Sequence, residues 1–384
     1  MKITALYVYP IKALRGTSIP QARIGPRGVE YDRHFILYEV RSSTSSSSSS
    51  SSEPVLKKMQ LDSHPKCALF QPEIDTQNKS IKVHFLGSPS SSPSSSFEGE
   101  QDLTVPLEPD VSSLPKISAD LHGSVAQAYA MGEPYDAWFS LRFGVPVRFV
   151  YIGDGRRPVL AKSLLPPPQS STSTSNNSGG AGGGGGGWLS SITSYITTSS
   201  TSLPEKKPAY LTFTDVAPLL VTSESSLRDV SLRLFSQPTP VPMYKFRPNI
   251  VVKGDDQEEE EKEKEEEAWA EDYWAELTVT TKTSSSESNN HHKLAMTGNC
   301  VRCTSLNVDY DTGKPAEGEM GTVLKKLMKE RRVDAGSKWS PVFGRYGFPV
   351  DLDDEKDSFV VSVGDEVKVT KRNPERTVLD WPGM

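Results

Sequence analysis

Long apolar runs are missing from this sequence: none reaches the roughly eighteen residues that a helix needs to cross a bilayer, so no membrane span is expected. The first residues, Met1-Lys2-Ile3-Thr4, lead straight into a strand-like pattern rather than the regions of a signal peptide, which makes the cytoplasm the default location. Cysteine is scarce. Cys67, Cys300 and Cys303 are the only three in 384 residues, which excludes a disulfide framework and fits a reducing compartment with one reactive or metal-binding thiol site. A basic excess is absent too: 43 lysines and arginines face 49 acidic residues, and the acidic block at 255–267 accounts for the net charge of −6. The remainder is close to neutral and lacks the concentrated basic face that broad nucleic-acid binding requires. No fixed-period repeat is visible, neither a flavin nor a nicotinamide fingerprint occurs, and a pyridoxal phosphate site is not expected.

Several stretches carry too little apolar surface to offset the entropy of ordering and read as solvated insertions. They are the serine tract 42–52, the Ser/Pro tract 87–96, the Ser/Gly tract 166–202 and the acidic block, with a polar tract at 284–292. What remains suffices for two modest domains, residues 1–160 and 207–384, joined by a Ser/Gly-rich disordered linker at 161–206. The second domain carries the acidic insertion 255–267 and a polar insertion at 283–293. Each insertion falls between expected strands, where a long loop costs little closure entropy, so none is expected to bear on the chemistry.

The patterned parts are mainly β. Residues 3–12 alternate like a half-buried strand ending near Pro10, and residues 35–38, 81–85 and 103–107 read as further short strands. One helix interrupts them, with Pro134 at its start and Tyr135, Trp138, Phe139 and Phe143 as an apolar stripe, before a closing strand at 149–152. In the second half, 210–213, 250–252 and 274–280 read as strands, while Leu227, Val230 and Leu234 share one helix face. Val323, Leu324, Leu327 and Met328 mark a basic amphipathic helix, and 359–363 with 366–369 are expected to form a hairpin about Gly364-Asp365. The fold class is therefore mainly β (α+β), with two β-barrel-like modules, a few packed helices and long insertions.

Chemistry concentrates at Cys300-Val301-Arg302-Cys303, where soft thiol ligands flank an arginine able to lower a neighbouring thiol's pKa. A bare C-x-x-C is ambiguous. It could be half of a zinc site completed by His291 and His292, although these lie in the polar tract and no second C-x-x-C exists. A thioredoxin-like dithiol should open a helix, whereas 305–308 looks extended, and two buried inert thiols are a further alternative. Cys67, in His64-Pro65-Lys66-Cys67-Ala68, reads as a small core residue.

The longer context is more specific. Gly298-Asn299-Cys300-Val301-Arg302-Cys303 followed by Asn307-Val308-Asp309-Tyr310-Asp311-Thr312-Gly313 resembles the signature of the MOSC domain, the family of the mitochondrial amidoxime-reducing component and of the molybdenum-cofactor sulfurase C-terminal domain. Tyr9-Pro10-Ile11-Lys12 and Gly28-Val29-Glu30-Tyr31-Asp32-Arg33 resemble its N-terminal β-barrel module. Phe246-Arg247-Pro248-Asn249, Glu271-Asp272-Tyr273-Trp274 and Pro341-Val342-Phe343-Gly344-Arg345-Tyr346 resemble successive blocks of its catalytic module. The resemblance implies a molybdenum–pterin cofactor (Mo-molybdopterin) with Cys303 as protein ligand to the metal and catalytic residue. It implies that Lys12, Arg33, Asp215, Arg247, Asn249 and Arg302 surround the cofactor, whose phosphate calls for cationic side chains and backbone N–H groups. The bland alternatives are an exposed strand end for Lys12, structural ion pairs for Arg33 and Arg247, and a turn role for Asn249. Ala13 and Val216-Ala217 stand where relatives often have hydroxyl residues, which shifts phosphate binding toward backbone and arginine.

The implied activity is reduction of small N-hydroxylated substrates, with electrons from a b-type cytochrome served by an NADH-dependent flavin reductase, and it is compatible with a mitochondrial association. Two other classes remain: a cofactor or sulfur carrier holding a persulfide on Cys303, and an inert scaffold whose insertions bind partners.

Overall fold

In Lys2–Val8, Ile3, Leu6 and Val8 are buried while Lys2 faces solvent, the pattern of a strand laid on a core. That core belongs to the second half of the chain. Lys2–Val8 completes an eight-stranded sheet in the order Ile250–Lys253, Leu219–Ser223, Val342–Pro349, Asn289–Val301, Trp274–Lys282, Glu366–Arg372, Lys2–Val8, Thr17–Ile19. The sheet closes on itself because Lys2–Val8 also pairs antiparallel with Ile250–Lys253, which leaves no edge there. Leu219–Ser223 and Ile250–Lys253 run parallel, and helix α2 (Glu224–Leu232), capped by the Ser223 hydroxyl, makes the crossover between them.

The computed structural model describes residues 1–42, 54–87, 102–167, 208–234, 240–254, 267–282, 289–350, 352 and 356–383. All but one residue of the expected serine tract, of the Ser/Pro tract and of the acidic block, most of the Ser/Gly linker and the first part of the polar insertion lie outside the described residues. Residues 1–166 and 208–384 form one compact unit, since the first strand crosses the expected division at 160 to join the second sheet.

The other large sheet runs Lys116–Leu121, Ser124–Ala130, Val147–Tyr151, Phe35–Arg41, Val55–Lys58. With the meander Phe70–Asp75, Ser80–Phe85, Asp102–Pro106 it encloses helix α1 (Tyr135–Phe143), which ends at Gly144 in the left-handed conformation. Trp138, Phe139 and Phe143 interlock there with Phe70 and Phe149, ring centroids 4.6 to 6.4 Å apart. Cys67 lies in the same core, fully buried, and burial pushes its thiol up to about 12. The fold is mainly β, as its patterning implies; the described residues hold three α-helices, none long and apolar enough to cross a membrane.

Three local expectations are corrected. The arms about Gly364-Asp365 do not pair with each other: Phe359–Ser362 pairs with Gln21–Gly25, and Glu366–Arg372 with Trp274–Lys282. The turn itself forms, but Ile3 occupies it through bonds with Gly364 and Asp365, so the arms splay. Residues 305–307 are not extended, because Thr304–Asn307 makes a 3-10 turn whose Asn307 side chain accepts from the Leu324 N–H at 3.1 Å, and of the expected stretch Val308 alone is strand. Residues 289–293, placed in the polar insertion, begin the Asn289–Val301 strand, where His292 stacks on Phe359 at 4.2 Å and contacts Thr281.

Candidate functional site

Seven residues from five separated stretches of sequence, Lys12, Arg33, Asp215, Arg247, Asn249, Arg302 and Cys303, line one cavity. Lys12 is fixed by its backbone, whose N–H donates to the Phe35 carbonyl at 2.8 Å, and its buried Nζ lies 2.5 Å from Asp215 Oδ1. Burial lowers its ammonium to about 8 against the pull of Asp215. For Asp215, withdrawal from water pushes the carboxyl up, but Lys12 and His122 outweigh this and hold it well below the usual carboxylate range.

Arg33 and Arg247 share one platform. The Tyr9 ring, 1% exposed, lies 4.2 Å from the Arg33 guanidinium carbon and 4.4 Å from that of Arg247. Asp32 holds this arrangement from beneath: fully buried, it accepts from the Tyr9 N–H at 2.8 Å and from Arg33 at 2.5 Å. Arg33 donates to the Arg247 carbonyl at 3.2 Å, and Arg247 to that of Leu14 at 2.6 Å. Ala13, Arg33 and Arg247 all have left-handed backbone, at φ 71°, 53° and 55°. Such conformations cost about 1 kcal/mol or more per non-glycine residue and cluster where a fold maintains a functional geometry. That three of them line the same cavity marks it as such a place.

Asn249 is spent on structure. Its side-chain oxygen accepts from the Leu220 N–H at 3.1 Å and its amide donates to the Tyr7 carbonyl at 3.3 Å, clamping the Lys2–Val8 strand to the Leu219–Ser223 strand. Arg302, buried, donates to Cys300 Sγ at 2.9 Å and to the Phe246 carbonyl at 2.7 Å. Cys300 is buried behind the motif, bonded to the Tyr346 hydroxyl at 3.2 Å, and burial raises its thiol despite the neighbouring Arg302. Cys303 differs. Its thiol is exposed on the cavity, 3.1 Å from the Ser305 hydroxyl, where a soft ligand is free to meet a metal.

Thr214 and Arg302, both in the cavity lining, each carry a buried polar atom, Oγ1 and Nε, without a hydrogen-bond partner among the described residues. Buried polar groups are rarely left so unless a ligand or water completes them. Four cationic side chains against two carboxylates, Asp62 and Asp215, leave the lining net positive. An anionic group bearing soft sulfur and a metal fits this donor set. Thr214 also supplies a hydroxyl beside the positions where Val216-Ala217 lack one.

Sequence reasoning missed three residues. Tyr346 is named only within a motif block, yet it lines the cavity and bonds Cys300. Arg157 is completely buried and donates to the carbonyls of Leu121, Ser124, Thr212, Thr214 and Asp215, so it fixes the loop that presents Asp215. His122 reaches Asp215 from a turn whose only signal is Gly123 after it.

The family model of the MOSC N-terminal beta barrel domain matches residues 1–146 and that of the MOSC domain matches 208–368. The chain is thus a member of the MOSC-domain proteins with both modules in order. It is similar to the molybdenum cofactor sulfurase of Pyricularia oryzae, 24% identical over 88% of this chain and 38% of that protein. It is also similar to mitochondrial amidoxime-reducing component 1, at 31% identity over 35% of this chain and 34% of the relative in Homo sapiens. In Mus musculus the figures are 22% over 90% and 76%. The matched part is little more than a third of the first relatives' length.

Proposed function

We propose that this chain binds a molybdenum–pterin cofactor in the cavity through Cys303 and reduces small N-hydroxylated compounds. The observation that carries the reading is an exposed cysteine thiol sharing one cavity with Lys12, Arg33 and Arg247 and with Thr214 and Arg302, which carry the two orphaned polar atoms. Similarity to amidoxime-reducing components and cofactor sulfurases supports it. The cofactor supplies a centre able to exchange two electrons and one oxygen atom.

The chain's own residues do the rest. Cys303 Sγ offers the protein ligand, Arg33 and Arg247 present two guanidiniums stiffened against Tyr9 to the anionic end, and Thr214 holds an unpartnered hydroxyl buried in the lining. Lys12 adds a cation whose position Asp215 fixes. The overall reaction takes an N-hydroxy compound, two electrons and two protons to the amine or amidine and water. Its electrons come from a separate donor, proposed as a b-type cytochrome served by an NADH-dependent reductase.

The test is metal analysis and turnover, with an artificial electron donor, of wild type beside Cys303→Ser and Cys300→Ser. Cys303→Ser alone should change the metal's coordination and abolish turnover. Absence of molybdenum from wild type made in a cofactor-competent host would refute the reading. The second reading, a carrier that holds a persulfide on Cys303, is favoured by the exposure of that thiol and by the sulfurase similarity. It predicts a metal-loaded protein that reduces no N-hydroxy compound.

A further inference from the structure

Cleaving an N–O bond to an amine and water draws two protons into the cavity, and most of its lining cannot supply them. Arginine does not deprotonate in proteins, so of the four cations there Lys12 is the one able to release a proton and take another. Behind Lys12 stands a connected row of groups. Asp215 Oδ1 lies 2.5 Å from Lys12 Nζ and 3.3 Å from His122 Nε2, and the other ring nitrogen, Nδ1, lies 3.3 Å from Lys58 Nζ. An ammonium can only donate, so His122 Nδ1 accepts from Lys58, and the ring's proton is on Nε2, directed at Asp215. Lys58 thereby sets the tautomer.

The fold maintains this row at some cost. His122 has left-handed backbone, φ 58°, in the turn between Lys116–Leu121 and Ser124–Ala130. Its carbonyl accepts from the Trp381 indole at 2.8 Å. The Arg157 guanidinium bonds the Leu121 carbonyl at 2.9 Å and the Asp215 carbonyl at 3.3 Å, tying together both sides of the His122–Asp215 contact. Among the described residues, the charged groups bonded to the imidazole are Lys58 and Asp215, with Lys12 and Arg157 bonded in turn to Asp215.

We infer that Lys58, His122 and Asp215 form a proton path into the cavity that ends at Lys12 Nζ. The inference rests on the reductase reading. Once Lys12 has given up its proton, an N–H bond of Lys58 breaks as Nδ1–H forms, Nε2–H breaks as Asp215 Oδ1–H forms, and that proton passes to the Lys12 amine. One proton has then entered, Lys58 is recharged from solvent, and exchange with solvent, which removes the proton on Nδ1 and returns one to Nε2, restores the starting tautomer. A static clamp that merely positions Lys12 would use the same contacts, so the test must separate transfer from support.

His122→Gln does so, since the amide can donate to Asp215 but cannot pass a proton. Molybdenum-loaded wild type and His122→Gln are compared with an aryl amidoxime and reduced viologen as electron donor, alongside Tm and metal content. The path predicts unchanged Tm, metal content and KM, a kcat lower by about tenfold or more, and an altered pH profile that Lys58→Met shares. A readout independent of turnover is the nitrogen NMR spectrum of His122, expected to show protonated Nε2 and bare Nδ1, with that preference lost in Lys58→Met. Unchanged kcat and pH profile in His122→Gln, or a ring protonated at Nδ1, overturns the path alone. A loaded wild type that reduces no N-hydroxy compound overturns the reductase reading and the path with it.

Discussion

Replacing Gly16 by alanine tests whether the Tyr9 ring is the rigid platform for the two arginines. A Cβ at Gly16 would lie 2.3 Å from Tyr9 Cε1, 2.6 Å from Cδ1 and 2.9 Å from Cζ, far inside contact distance. The ring has nowhere to retreat, since Tyr9 is 1% exposed and the Arg33 and Arg247 guanidinium carbons stand 4.2 and 4.4 Å from its centroid. Overpacking of this kind costs about 1–3 kcal/mol. At roughly 2–4 °C per kcal/mol for a domain of about 150–250 residues, Tm should fall by roughly 2–12 °C. The displaced ring carries both arginines with it, so sulfate, used as a probe anion, should bind several-fold more weakly. Tyr9→Leu together with Gly16→Ala should be less destabilised than the sum of the single changes, because the smaller side chain leaves room for the methyl. Thermal unfolding and sulfate titration give both readings. A Gly16→Ala protein with the Tm and sulfate affinity of wild type would refute the platform.

Further outcomes follow from the same geometry. Burial lowers Lys12 to about 8, so its charge is present below that pH and lost above it; sulfate affinity should weaken as pH rises through 8 in wild type and stay flat in Lys12→Met. A thiol reagent should modify Cys303 in the native protein, whereas Cys67 and Cys300, both buried, should react only after unfolding; rapid native labelling at either position would contradict the burial described. Asp272, fully buried, accepts from Arg331 at 2.7 and 2.9 Å and from Arg376 at 2.8 Å, so Asp272→Asn should lose roughly 3–5 kcal/mol in denaturant unfolding, and a loss under about 1 kcal/mol would show that the cluster relaxes.

Local pattern made the strands and helix α1 legible, because alternation and a stripe of Tyr135, Trp138, Phe139 and Phe143 are properties of neighbouring residues. Pairing was less so. The turn at Gly364-Asp365 carries a hairpin's local signal, yet its arms go to different partners once Ile3 fills the turn, a contact across most of the chain. The gathering of Lys12, Arg33, Arg247 and Cys303 was anticipated from motif blocks taken together, whereas Arg157 and His122 carry no local mark. Arg157 is recognisable only from the carbonyls around it, and His122 only from what lies at each ring nitrogen.

The closure of the large sheet explains why the site needs both ends of the sequence. Lys2–Val8 pairs with Ile250–Lys253, and the same register that joins Leu6 to Ile250 sets Tyr9 and the residues after it beside Arg247 and Asn249. Lys12 and Arg33 then reach the cavity through short connections, Lys12 by its bond to Phe35 and Arg33 by its bond to Tyr9. A break in that strand pairing would therefore separate the arginines from the thiol before it disturbed the aromatic core around α1, which shares no residue with the strand. Cation placement and barrel closure are in this sense one structural requirement, and a substitution that loosens the Leu6–Ile250 register should weaken anion binding even though neither residue lines the cavity.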